Sequence, residues 1–178
     1  MRIPALSLAL TAALFAGCQT APKTETEKQD LLLSAESTVL NYKMLDPAMK
    51  SFFTSAEGYA VFPTIAKGGF VVGGAYGKGV LYEKGKHVGY CDLSQGSIGL
   101  QIGGQGYSEI IFFQTADALR TFKAGEFAFA GQVSGVAVKA GASADADYQA
   151  GVAVFTKPKG GLMGEASIGG QNFTFEPK

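Results

Sequence analysis

Few side chains in this sequence combine in a pattern that supports catalysis. The single histidine, His87, lies four residues before Cys91 on a predicted strand, but two ligands do not complete a zinc site. No serine occupies a G-x-S-x-G motif, since the nearest candidate, Ser167 in EASIG, has Glu165 where that motif requires glycine. The sequence therefore predicts no catalytic residue, no metal site and no cofactor.

A calcium loop and a nucleotide loop are also rejected on spacing. Asp145-Ala-Asp147 begins like a calcium loop, but its sixth position is Ala150 and its twelfth is Thr156, where glycine and glutamate are required. The glycine-rich stretch KGGFVVGGAYGKGVLYEKG contains a GKG triplet without the serine or threonine of a Walker A loop. Its glycines must serve another purpose.

The first residues predict export and a lipid anchor. Met1-Arg2 precedes an apolar run from Ile3 to Phe15, which is typical of a secretory signal and too short to span a bilayer. The following LFAGC resembles the lipobox of bacterial lipoproteins, in which Cys18 would be acylated, and Gln19 favours sorting to the outer membrane, facing the periplasm. The alternative is a soluble exported protein with an incidental cysteine.

Charge and composition divide the rest of the chain. Without residues 1–17, 161 residues remain with 14 basic and 15 acidic side chains, a balance that gives no reason to expect nucleic-acid binding. Residues 18–28 are polar and carry a proline, so they are predicted to be a lipidated N-terminus and flexible tether. Residues 29–178 are predicted to form one domain.

Periodicity predicts helices at the start of the domain and strands after it. Leu32, Ala35, Val39 and Tyr42 recur at helical spacing, and Asp46-Pro47 signals the start of a second, short helix. The apolar face of the first helix is expected in the core, with contact with lipid as the alternative. Residues 115–123 predict one inserted helix. Strands are predicted over residues 59–63, 69–76, 79–83, 88–92, 96–103, 107–114, 127–140, 149–156, 162–168 and 173–175.

The glycines indicate how this sheet bends. Residues 68–106 hold 13 of the 25 glycines of the chain, and glycine within strands permits bulges, bends and close approach. The predicted fold is therefore α+β, with a strongly coiled, barrel-like antiparallel sheet. Two interiors are consistent with it. Either Leu32, Phe52 and Phe53 of the helices fill the space inside the curved sheet, or a groove remains there that accepts an acyl chain.

With these elements in place, the chain resembles the SYLF domain family. The matching blocks are GYAVFPTIAKGGF (Gly58–Phe70), GKGVLY (Gly77–Tyr82), GSIGLQIGGQGYSEIIFF (Gly96–Phe113), the alanine and phenylalanine of Ala118–Phe122, and TKPKGGLMGEAS (Thr156–Ser167). Eukaryotic members bind phosphoinositides and, in yeast, actin filaments. The resemblance implies a phospholipid-binding, non-enzymatic domain, whereas actin is not expected as a partner in a bacterial envelope.

The resemblance also implies headgroup-binding lysines. The basic residue of the first block is Lys67 and that of the last is Lys159. Each precedes a glycine pair whose backbone N–H groups are expected to contact phosphate, namely Gly68, Gly69, Gly160 and Gly161. The weaker candidates are Lys84, Lys86 and Lys157. The competing hypothesis is a structural or protein-interaction module held at the membrane by Cys18 alone.

Overall fold

The helices begin and end at local sequence signals. The computed structural model describes residues 22–69, 72–98, 105–127, 135–159 and 170–178. The first helix, α1 (Glu25–Leu45), begins inside the predicted tether because the Thr24 side chain accepts a hydrogen bond from the N–H of Glu27. Asp46 caps a 3-10 turn (Pro47–Met49) that leads into α2 (Lys50–Ser55). The inserted helix α3 (Ala116–Lys123) is capped by Thr115, as the sequence predicts.

The strands form one mixed sheet. They are β1 (Gly58–Gly69), β2 (Val72–Glu83), β3 (Lys86–Ile98), β4 (Gln105–Phe113), β5 (Gly135–Ala137), β6 (Val152–Pro158) and β7 (Gln171–Pro177), in the order β5-β6-β4-β1-β2-β3-β7. All described pairings are antiparallel except β5 with β6, which is parallel. The α+β class is confirmed, and the sheet that was predicted as antiparallel is mixed because of the one parallel pair. The described sheet is not closed into a barrel. The strand predicted over residues 162–168 lies outside the described residues.

Strands β2 and β3 run through glycines that were predicted to end strands. A Cβ atom at Gly77 would lie 2.7 Å from Cγ1 of Ile65, and one at Gly79 would lie 2.7 Å from Cδ1 of Phe62. Large side chains of β1 therefore lie over glycines of β2. These glycines make room for neighbouring side chains without interrupting the strand.

The sheet curves strongly, so its two faces differ. The ring of Phe173 on edge strand β7 packs 5.8 Å from that of Phe62 on β1, although β2 and β3 lie between these strands in the sheet. We call this side the concave face. It is covered by α3 and carries a buried cluster that includes Phe62, Ile65, Leu93, Ile111, Phe113, Leu119, Phe122 and Phe173.

The N-terminal helices cover the opposite side, which we call the outer face. Phe52 packs against Phe112 and Phe155, and Phe53 packs against Phe112. The prediction that Phe52, Phe53 and Leu32 fill the inside of the curved wall is therefore wrong, because α3 occupies that side instead. None of the helices in the described part of the chain has the length and apolar character needed to cross a membrane.

Helix α1 packs over an irregularity in the pairing of β1 with β4. The register between β1 and β4 shifts between Phe62 and Ile65, where Pro63 has no N–H to donate. Near this break the hydroxyl of Tyr42, which is fully buried, donates to the backbone oxygen of Ser108 at 2.8 Å. The proline thus interrupts the hydrogen bonding between β1 and β4, and α1 is fixed to β4 beside this interruption.

Candidate functional site

A groove lies between α1 and the outer face of β1 and β2. Its volume is about 320 Å³. It is lined by Leu31 and Ser34 of α1, by Pro63, Thr64 and Ala66 of β1, and by Tyr76, Gly77 and Lys78 of β2. We call it the α1 groove. It exists because α1 is fixed over the β1 break and leaves the neighbouring strand positions uncovered.

Two lysines flank a threonine at this groove. Lys78 is the Cα partner of Thr64 in the β1–β2 ladder, and Nζ of Lys159 donates to Oγ1 of Thr64 at 2.6 Å. Hydrogen bonds from the N–H groups of Lys23 and Thr24, and to a smaller extent the charge of Lys78, lower the pKa of Glu27. The site therefore joins an apolar wall to two ammonium groups and a hydroxyl, with one carboxylate near Lys78.

Lys78 was missed as a site residue in the sequence. It occupies the GKG triplet, which was considered as a Walker loop and as part of the GKGVLY block but not as a source of a site residue. Alternation along β2 places it on the same face as Val80, which packs under the N-terminal helices. That alternation was visible, but the sequence did not show that α1 would lie beside it.

The structure separates the two principal predicted lysines. Lys67 is on the concave side of β1, two residues after Ile65, and is only 8% exposed. Lys159 is exposed and reaches Thr64 beside the α1 groove. The two lysines therefore do not form one site.

The weaker lysine candidates also lie in separate places. Lys157 lies near α1, where its Nζ donates to Oδ1 of Asn41 at 2.7 Å. Lys84 lies in the exposed turn between β2 and β3, Lys86 is the exposed first residue of β3, and Nζ of Lys84 is 3.6 Å from Oε2 of Glu57. That turn follows Glu83, which at about 3.3 Å per residue is about 17 Å along β2 from Lys78. It is distant from the α1 groove.

The predicted backbone contacts lie at or beyond the ends of the described strands. Gly68 and Gly69 end β1, and the position of a Cβ on Gly68 is open on all sides. Gly160 and Gly161 lie outside the described residues, as does Cys18. The headgroup role of these glycines and lysines remains a prediction.

The outer side of α1 carries exposed apolar residues. Leu33, Leu40 and Met44 are 58%, 61% and 72% exposed. Their spacing of seven and four residues places them along one side of the helix, opposite the buried Ala35 and Tyr42. We call these three residues the α1 stripe.

The residues considered for catalysis do not meet. Cys91 belongs to the concave cluster, and burial raises the pKa of its thiol. His87 instead packs against Tyr90 of the outer-face cluster with ring centroids 5.0 Å apart, and burial lowers its pKa. His87 and Cys91, four residues apart, lie on different faces because the β2–β3 register shifts beside His87. Within the described ranges, no group of three or more His, Cys, Asp or Glu side chains is placed to hold a metal.

The chain is similar to a family model and to a curated protein. The model of the Ysc84 family, described as Las17-binding protein actin regulator, matches residues 94–177. Over 155 residues, the chain is 28% identical to beta cell expansion factor A of Aeromonas veronii. This aligned segment makes up 85% of this chain and 59% of that protein. The chain thus spans little more than half the length of that relative. Lys159 lies in the matched family region, whereas α1, β1 and β2 precede it.

Proposed function

We propose that this chain is a member of the Ysc84 (SYLF) family, which it resembles, and that its domain is a non-enzymatic module that binds phospholipid at a bacterial membrane. The observation that carries this proposal is the α1 groove, where Lys78 and Lys159 flank Thr64 beside an apolar wall. Ammonium groups bind phosphate as point charges, and the threonine hydroxyl adds a hydrogen bond. The groove is therefore suited to an anionic headgroup and the apolar atoms next to it.

The size of the groove limits how much lipid it holds. Small-molecule pockets range from about 300 to 1,000 Å³, and the α1 groove is near the lower limit at about 320 Å³. A headgroup with the first part of one chain fits that volume better than a whole phospholipid. We therefore propose that the lipid remains in the bilayer while its headgroup enters the groove.

The α1 stripe supports contact with a membrane surface. Leu33, Leu40 and Met44 give α1 an exposed apolar side, which is stabilised when it lies at the boundary of headgroups and acyl chains. Acylation of Cys18 would hold α1 nearby, because the six residue steps from Cys18 to Thr24 extend at most about 22 Å. We propose that the domain lies on the periplasmic side of the outer membrane.

A vesicle-binding experiment tests the groove. The mature chain carrying Cys18→Ser is mixed with phosphatidylglycerol vesicles and with phosphatidylcholine vesicles, and bound protein is measured by flotation. We expect binding to the anionic vesicles and weaker binding to the neutral ones. A lysine near an anionic surface contributes about 1 kcal/mol, so the double variant Lys78→Gln/Lys159→Gln should bind about thirtyfold more weakly.

The matched control removes the same two charges elsewhere. Lys84→Gln/Lys86→Gln alters the exposed turn at the far end of β2, and we expect little change in affinity. Equal losses in both double variants would show general charge attraction and contradict the groove. Absence of binding to either vesicle would contradict phospholipid binding altogether.

A second function is favoured by the packing of the concave face. Aromatic side chains of β1, β4, α3 and β7 fill the described part of that face, so an acyl chain has no evident place there. The alternative is a protein-interaction module held at the membrane by Cys18 alone. Mass spectrometry of lipids extracted from the purified protein separates the two, since a stoichiometric lipid favours the first. The family description names actin regulation, but an envelope protein does not meet actin, so we do not propose it as the partner.

A further inference from the structure

A buried carboxyl group joins two distant strands on the concave face. Glu109 of β4 and Gln171, the first residue of β7, are both 0% exposed. Nε2 of Gln171 donates to Oε2 of Glu109 and to the hydroxyl of Tyr107, each at 3.2 Å. Strands β1, β2 and β3 lie between β4 and β7 in the sheet. These hydrogen bonds therefore cross the curved face and hold the start of the edge strand against the middle of the sheet.

This contact is short of donors. Gln171 uses Nε2 for both hydrogen bonds, while Oε1 of Glu109 and Oε1 of Gln171 are buried and have no hydrogen-bond partner among the described residues. A carboxylate only accepts hydrogen bonds, whereas a neutral carboxyl also carries one O–H donor. Neutral Glu109 supplies the kind of group that the contact lacks. Ionised Glu109 would be a buried charge with one amide N–H for compensation, which is strongly unfavourable.

No cation compensates Glu109 within the described residues. Tyr107 on β4 and Cys91 on β3 share its face, and Tyr42 of α1 lies on the other side of β4. Lys67 of β1 also belongs to the concave face, but none of the ion pairs within 4.0 Å in the described chain joins it to Glu109. The charged groups of α3 pair elsewhere, as Arg120 with Asp117 and Lys123 with Glu83 of β2.

We propose that Glu109 is a protonation-controlled latch, whose neutral carboxyl holds Gln171 against β4 and whose ionisation releases the start of β7 from the concave face. The proton passes to solvent when the latch opens. Release of Gln171 would expose the neighbouring Phe173 and Phe62, which pack together directly beside it. The edge of the concave face thus becomes accessible as the pH rises.

The direction of the pH effect follows from the closed state. Burial raises the pKa of Glu109 from 4.5 to about 8, and the hydrogen bond from Gln171 offsets part of that rise. Once exposed, the group regains its ordinary pKa. The closed state therefore binds more protons than the open state between these values. The stability of the latch is fully present below pH 4.5 and is lost as the pH rises to about 8.

Hydrogen exchange at β7 tests the latch. Protection factors of the amides of residues 171–174 are measured by NMR on the purified protein from pH 6 to pH 9, after correction for intrinsic exchange. We expect them to fall about tenfold per pH unit up to pH 8 and then to level off. Glu109→Gln cannot ionise, so its protection factors should not change with pH. Near-UV circular dichroism at each pH shows whether the rest of the domain stays folded.

Two further variants keep the test decisive. Tyr107→Phe removes a neighbouring buried hydroxyl but leaves the Gln171–Glu109 contact, so it should retain the pH dependence of the natural protein. Gln171→Met removes the latch from β7, and it should give low, pH-independent protection even if Glu109→Gln does not fold. The proposal is overturned if the natural protein shows no pH dependence, or if either Glu109→Gln or Gln171→Met retains it.

Discussion

Substitution of Tyr42 by phenylalanine tests how α1 is fixed to the sheet. The hydroxyl of Tyr42 is fully buried and lies 2.8 Å from the backbone oxygen and 3.0 Å from Oγ of Ser108. Phenylalanine keeps the ring and its packing, so the change removes only this polar contact. The substitution therefore isolates the hydrogen bond that joins α1 to β4 near the β1 break at Pro63.

The size of the effect follows from what is left behind. A net hydrogen bond contributes about 0.5–1.5 kcal/mol, and a buried carbonyl that loses its donor costs about 1–3 kcal/mol. Because the Ser108 hydroxyl can turn toward other acceptors, we expect the lower part of that range, about 1–2 kcal/mol. For a domain of this size the melting temperature should fall by about 2–8 °C.

Tyr82→Phe is the matched control. The hydroxyl of Tyr82 is also buried but has no hydrogen-bond partner in the described part of the chain, so its removal should change the free energy of unfolding by less than about 0.5 kcal/mol or increase it slightly. Both variants are measured by urea unfolding with the same spectroscopic probe. If Tyr42→Phe costs no more than Tyr82→Phe, the hydroxyl does not fix α1 and the reasoning is wrong.

Two further substitutions test other long-range contacts. Burial would raise the pKa of Asp46, but hydrogen bonds, among them one of 2.7 Å from the N–H of Ser143, lower it overall. Stability should therefore decline as the pH falls below 3.8, and Asp46→Asn should cost about 1.5–3 kcal/mol at pH 7 and flatten this decline in melting temperature. A Cβ at Gly89 would lie 2.3 Å from the backbone oxygen of Glu176, whereas one at Gly96 of the same strand meets open space. Gly89→Ala should lose about 1–3 kcal/mol in urea unfolding, Gly96→Ala should lose nothing, and equal losses would contradict the close approach of β7 to β3.

The sequence by itself determined the local elements. Thr115 and Asp46-Pro47 marked helix starts correctly, because capping depends on neighbours only a few residues away. The start of α1 was predicted too late because the capping threonine, Thr24, was read as part of a polar tether. Alternation also placed strands between residues 58 and 113, although glycines were taken for interruptions where they accommodate side chains of an adjacent strand.

The candidate site required the tertiary structure. Alternation shows that a strand has two faces, but it does not show which of them a helix will cover. For that reason Lys67 and Lys159 were both predicted to bind the headgroup without any sign that they lie on opposite faces, and Lys78 was overlooked beside α1.

The contact of Glu109 with Gln171 could not be predicted from the sequence either. These residues are 62 positions apart and belong to strands that are not neighbours in the sheet. Only the curvature of the whole sheet brings them together. Local preferences fix the elements of this protein, whereas the packing of α1 and the bending of the sheet decide which polar groups are exposed and which are buried.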